Sequence, residues 1–151
     1  MVKAWLSAFR LRTLPLALAS IAMGSFLAAS IGEMRWNIFL LSALTTIFLQ
    51  ILSNLANDYG DSVHGADSAD RKGPKRAVQT GAISREAMFK AMIVFSILSL
   101  ISGLWLLYTA VDSWRIFAFF LGLGILSILA SITYTATQPK NIKTEISPSP
   151  R

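Results

Sequence analysis

Four long apolar runs, Leu14–Ile31, Trp36–Leu55, Ala87–Ala110 and Trp114–Thr137, alternate with short polar turns and one long polar loop, residues 57–86. A bilayer core of about 30 Å takes about 20 apolar residues in a helix. The runs therefore predict four transmembrane helices, the first a little short, and an all-α polytopic membrane bundle. Ahead of them, residues 1–13 set Lys3, Arg10 and Arg12 among Trp5, Leu6, Phe9 and Leu11, an amphipathic lead-in suited to lying at the interface. Behind them, residues 138–151 have no apolar period and three prolines, which predicts a disordered tail.

Within the runs, Ser20, Gly24, Ala28 and Gly32 recur at i+4 steps, a small-residue row that lets a second helix approach. Gly122 and Gly124 read as packing positions too. Gln50 and Asn54 are polar inside the second run, so they should face the bundle interior, bonding either a neighbouring helix or a ligand. If the helix continues, Thr46, Gln50, Asn54, Asp58 and Asp61 share one stripe, with Asn57 beside it. In the loop, Ser84 before Arg85-Glu86-Ala87 predicts the N-cap of the third span.

Composition supports the membrane reading. Over half of the 151 residues are hydrophobic, and the net charge is +6. A nucleic-acid partner is not expected, because the bases adjoin the spans instead of covering a soluble face. The N-terminus, the long loop and the tail from Lys140 are basic, while the opposite turns carry Arg35 and Arg115. The positive-inside rule then predicts both termini and the loop on the cytoplasmic side of the cell (inner) membrane. There is no cysteine, hence no disulfide and no thiolate metal site.

The candidate chemistry lies where the second run meets the loop. Asp58 and Asp61 at i, i+3 can share a hard cation such as Mg²⁺, which takes one or two carboxylates together with waters and substrate phosphate. Asn54 and Asn57 would orient the carboxylates or bind phosphate. Arg71, Lys72, Lys75 and Arg76 would cover the remaining phosphate charge, Arg in bidentate fashion. Asp67 and Asp70 are either outer ligands or turn residues. Arg10 and Arg12 either snorkel or turn one guanidinium toward phosphate. His64 stands alone in the loop and is read as solvent-facing. A solvated, topology-setting charged loop is the simpler alternative.

The stretch NLANDYGDSVHGADSADRKGPKRAVQTGAIS closely resembles the first aspartate-rich region of the UbiA superfamily of membrane prenyltransferases, and within it the menaquinone-pathway branch acting on 1,4-dihydroxy-2-naphthoate. FRLRTLPLALASIAMG resembles the same branch's N-terminal pattern, and the resemblance reaches to about residue 136. It implies a Mg²⁺-dependent transfer of a polyprenyl group from polyprenyl diphosphate to that ring. Asp58, Asp61 and Asp67 would hold the metal, and Asn54, Asp58, Asp61, Arg71 and Lys72 would carry catalysis. Arg10, Gln50, Asn57, Lys75 and Arg76 would bind substrate. Where the broader superfamily has a further Asp, this chain has Gly65, the nearest acid being Asp67; the naphthoate branch shows a similar shift.

The family also carries further helices and a second aspartate-rich loop, so the sequence reads as an N-terminal half, truncated or frameshifted after Ala136. Half a ring is expected to be unstable or inactive alone, or to pair with a second copy or a C-terminal half. Competing classes are a small four-helix transporter, a CDP-alcohol phosphotransferase, and a non-catalytic protein whose basic loop binds anionic lipid. The spans lack a deep ionisable residue, which counts against the transporter, and the phosphotransferase's Asp-Gly…Ala-Arg opening is missing.

Overall fold

A computed structural model describes residues 1–64, 78 and 80–136. The chain runs through α1 (Val2–Phe9), a 3₁₀ turn (Leu11–Thr13), α2 (Leu14–Ser30), α3 (Trp36–His64), α4 (Arg85–Ala110) and α5 (Trp114–Ala136), and there is no strand among the described residues. Among the described residues, three helical stretches are long and apolar enough to cross a membrane: Val2–Ser30, Trp36–Val63 and Arg85–Ala110. The apolar part of α5, Trp114–Ala130, is a shorter fourth. The expected tail, 138–151, lies outside the described residues.

Local chemistry sets the element ends. Pro15 stands in the first turn of α2, where no backbone donor is needed. The Ser84 hydroxyl accepts the Ala87 N–H at 3.1 Å and caps α4, as the sequence predicts. Gly32 closes α2 with φ 79°, a conformation that suits glycine. At the same end of the bundle the Arg35 guanidinium donates to the Thr109 carbonyl at 2.8 Å, a cation at the exposed carbonyls of the α4 C-terminus.

One boundary differs from the sequence reading. The second helix does not stop at Leu55 but continues through Asn57, Asp58 and Asp61 to His64. Asn and Asp are modest helix formers; here α3 is held by packing, since Leu55, Ala56 and Asp58 are all buried. The segment expected as loop therefore opens as helix, and the polar stripe stays in register.

The core lies at this end of the bundle. Ile51, Leu52, Leu55 and Ala56 of α3 pack with Ala8 of α1, Ile83 before α4, and Met88 and Met92 of α4. Phe9 meets Phe95 edge-on at 5.4 Å, joining α1 to α4. Toward the middle, Thr45 donates to Leu41 O and lies 3.0 Å from the Ser102 hydroxyl, a polar fastener between α3 and α4. The small-residue row of α2 faces Ile38, Phe39 and Ser42 of α3 but leaves an open groove, and a Cβ at Gly24 would meet nothing within 4 Å. Gly122 and Gly124 are equally open. The tight approach expected at these glycines is therefore not made. The outer faces of α2 and α5 are apolar and exposed, as at Leu16, Phe26 and Phe119, which suits lipid contact.

Leu52 is fully buried and Leu16 is 83% exposed. Leu52→Ala should therefore lower stability by about 2–5 kcal/mol, and Leu16→Ala far less. Reversible unfolding in mixed micelles measures the difference; equal effects would contradict this placing of the core.

Candidate functional site at the loop end of α3

Gln50, Asn54 and Asp58 stand one turn apart on α3 and face the corner between α1 and α2. The corner is built on Arg10, whose φ of 50° and ψ of 52° put it in the left-handed region. For a non-glycine residue that costs roughly 1–2 kcal/mol, so the surroundings must hold it. They do so on both sides. The Asn54 amide donates to Phe9 O at 3.0 Å. The Thr13 hydroxyl and backbone N–H both reach Arg10 O, at 2.9 and 2.8 Å. The Gln50 and Asn54 amides approach the same hydroxyl at 3.3 and 3.4 Å.

The corner aims the Arg10 guanidinium at Asp58, with Nη2 to Oδ1 at 2.5 Å. The Asp58 side chain is 4% exposed and that of Arg10 37%. A buried carboxylate is costly unless paired and hydrogen-bonded, and Arg10 supplies the charge. Position adds a second demand. Asp61 lies in the last turn of α3, where the helix macrodipole is negative and favours cations, and Asp58 lies in the turn before it. Arg85 meets this end as well, donating to Ser62 O at 2.5 Å. Tyr59 packs against Phe89 with ring centroids 5.8 Å apart and closes the α4 side.

Of the residues singled out from the sequence, the structure brings together Arg10, Gln50, Asn54 and Asp58. Of the two roles open for Gln50 and Asn54, it shows the interhelical hydrogen bonds. The Arg10 guanidinium turns inward to the Asp58 carboxylate, a contact that is neither of the two roles open for it, snorkelling or facing a phosphate. Asn57 and Asp61 are half-buried on the same helix end and engaged in interactions of their own. Asp67, Asp70, Arg71, Lys72, Lys75 and Arg76 lie outside the described residues. Thr13 stands in the Thr-Leu-Pro of the N-terminal pattern, but the sequence reading assigns it no role in the site. Its partners are 37 and 41 residues away, and the only local signal is a hydroxyl residue just before the Leu-Pro start of a helix.

Among the described residues no three His, Cys, Asp or Glu side chains gather into a ready metal cage. Asp58 and Asp61 still fit a hard cation that completes its shell with water and phosphate. They offer oxygen at i, i+3 on a helix end that favours positive charge. A cation joining Asp58 meets a carboxylate whose Oδ1 already holds the Arg10 guanidinium.

The model of the UbiA prenyltransferase family matches residues 17–143. This chain belongs to that family. It is 48% identical over 133 residues to the 1,4-dihydroxy-2-naphthoate octaprenyltransferase of Escherichia coli (strain K12), covering 88% of this chain and 43% of that enzyme. It is 45% identical over 136 residues to the enzyme of the same name from Haemophilus influenzae, covering 89% and 44%. The one from Mycobacterium tuberculosis is 35% identical over 100 residues, covering 66% and 34%. The chain thus spans less than half the length of these relatives. No solved structure matches it. The family match agrees with the resemblance read from the aspartate-rich stretch, and it runs past Ala136, where that resemblance was expected to end.

Replacing Asn54 by Leu removes the donor to Phe9 O, and with it about 1–3 kcal/mol of restraint at the corner. Trypsin should then cut after Arg10 and Arg12 several times faster in membranes carrying the variant. An unchanged cleavage rate would mean that the Asn54 amide does not hold α1.

Proposed function

We propose that this chain forms the diphosphate-binding half of a membrane prenyltransferase, which moves a polyprenyl group from polyprenyl diphosphate to 1,4-dihydroxy-2-naphthoate. The observation that carries the reading is the buried Asp58, one turn from Asp61, at the cation-favouring mouth of an apolar bundle. The naming of the relatives gives the acceptor and the donor class.

In this reading the allylic C–O bond breaks and its electron pair leaves with the diphosphate. The ring carbon that bears the carboxylate attacks the allylic carbon, a C–C bond forms, and loss of carbon dioxide restores the aromatic ring. Mg²⁺ held by Asp58 and Asp61, with Asp67 as a third ligand, would supply charge neutralisation on the departing diphosphate. The chain's own residues do the rest. Asn54 and Gln50 fix the corner, and Arg10 counters Asp58 until substrate phosphate competes for the guanidinium. Asn57, Arg71, Lys72, Lys75 and Arg76 are proposed to cover the diphosphate oxygens, donors aimed where negative charge grows. Between α3, α4 and α5 an apolar cavity of about 170 Å³, lined by Leu49, Leu104, Phe120 and Ile128 among others, offers the kind of dry surface a prenyl tail requires.

Four membrane spans, inner-membrane placement and cytoplasmic termini are proposed on the same footing, from apolar length and the distribution of Lys and Arg. A C-terminal half, or a second copy, is proposed to complete the site, because the relatives named above are more than twice as long as the stretch they share with this chain.

The test is prenyl transfer to 1,4-dihydroxy-2-naphthoate in membranes expressing this chain alone or together with the C-terminal half of a relative. Product is expected with Mg²⁺ in the completed protein, falling about a hundredfold or more in Asp58→Ala. Undiminished transfer by Asp58→Ala, or in chelator, would rule out the proposed site.

A further inference from the structure

We infer that Thr13 is a positioning residue: its hydroxyl locks the left-handed Arg10 corner, and through it keeps the guanidinium on Asp58. The inference deepens the reading above, and only the metal arm of its test rests on that reading.

Three observations converge on this side chain. Its oxygen lies within hydrogen-bonding distance of Arg10 O and of the Gln50 and Asn54 amides, at 2.9, 3.3 and 3.4 Å. A hydroxyl can donate once and accept twice, so donation to Arg10 O and acceptance from the two amides use its full capacity. Next, Arg10 is the one non-glycine residue with positive φ among the described residues. A strained conformation persists where neighbours over-determine it, and such places gather at functional sites. Thr13 fixes the carbonyl on one side of the strained residue while Asn54 fixes the carbonyl on the other. Lastly, the side chain so aimed ends on the most buried carboxylate of the helix end.

The consequence is chemical. While the corner holds, the Arg10 guanidinium on Asp58 repels a divalent cation at the same carboxylate, so the site takes cation weakly until phosphate oxygens draw the guanidinium away. Thr13 sets that balance without touching a substrate.

The test uses the full 151-residue chain in lipid nanodiscs. Because the chain has no cysteine, Leu11→Cys and Val63→Cys can carry spin labels that report the distance between the corner and the end of α3. A second labelled pair, Trp36→Cys and Tyr108→Cys, reports the opposite end of the bundle. Thr13→Val keeps shape and loses the hydroxyl; Thr13→Ser keeps the hydroxyl. The first pair should give a narrow distance distribution in the parent and in Thr13→Ser, and a broad one in Thr13→Val, with the second pair narrow throughout. A narrow first pair in Thr13→Val overturns the inference, as does broadening of both pairs, which would make Thr13 a general structural residue. With Mn²⁺ alone as probe, binding without diphosphate should tighten severalfold in Thr13→Val and in Arg10→Gln, and no further in the double variant. A broadened first pair with no Mn²⁺ bound by any variant would uphold the corner and remove the metal reading.

Discussion

A carboxylate with 4% of its side chain exposed is costly inside an apolar bundle unless it is paired and hydrogen-bonded. Among the described residues a counter-charge comes from the N-terminal segment, at Arg10. Arg10 reaches Asp58 because α1 ends in a left-handed corner, and that corner is held by the amides and hydroxyl of Asn54, Gln50 and Thr13. The order of dependence runs from the buried charge outward. Asp58 requires Arg10, Arg10 requires the corner, and the corner requires the polar stripe of α3. The apolar helices supply the dry surroundings in which each of these hydrogen bonds counts for more than it would in water.

The same end of the molecule carries the best packing. The buried cluster of α1, α3 and α4 sits directly around the stripe, whereas the outer faces of α2 and α5 expose large apolar side chains. Rigidity is thus concentrated where charges have to be placed. Beyond the cluster, the Thr45–Ser102 contact joins the bundle toward its middle and the Arg35–Thr109 bond joins its far end. Such a distribution suits a protein that fixes a polar head group at one end and leaves apolar room beside it.

Much of this was legible in the sequence, for identifiable reasons. Apolar length marks the helices, Ser84 marks a cap, and the i+4 spacing of Gln50, Asn54 and Asp58 puts them on one face. The family was legible from the aspartate-rich stretch, because its Asn, Asp, Gly and Pro positions are chemically particular. What escaped was long-range. The reach of α3 to His64 depends on burial of Leu55, Ala56 and Asp58, which local propensity does not report. The choice of Asp58 by Arg10, and the part of Thr13, depend on a backbone corner that spacing does not encode. The glycine rows remain open among the described residues. Gly24, Gly122 and Gly124 line open space, so small residues permitted a close approach that is not made.

Asp58 and its helix end are proposed to bind a diphosphate through a divalent cation. Binding of farnesyl diphosphate to this chain in nanodiscs, measured by equilibrium titration with Mg²⁺ and with chelator, tests it most directly, since it does not require turnover. The account predicts binding that needs Mg²⁺ and is lost in Asp58→Asn. Equal affinity in chelator, or in Asp58→Asn, would contradict it.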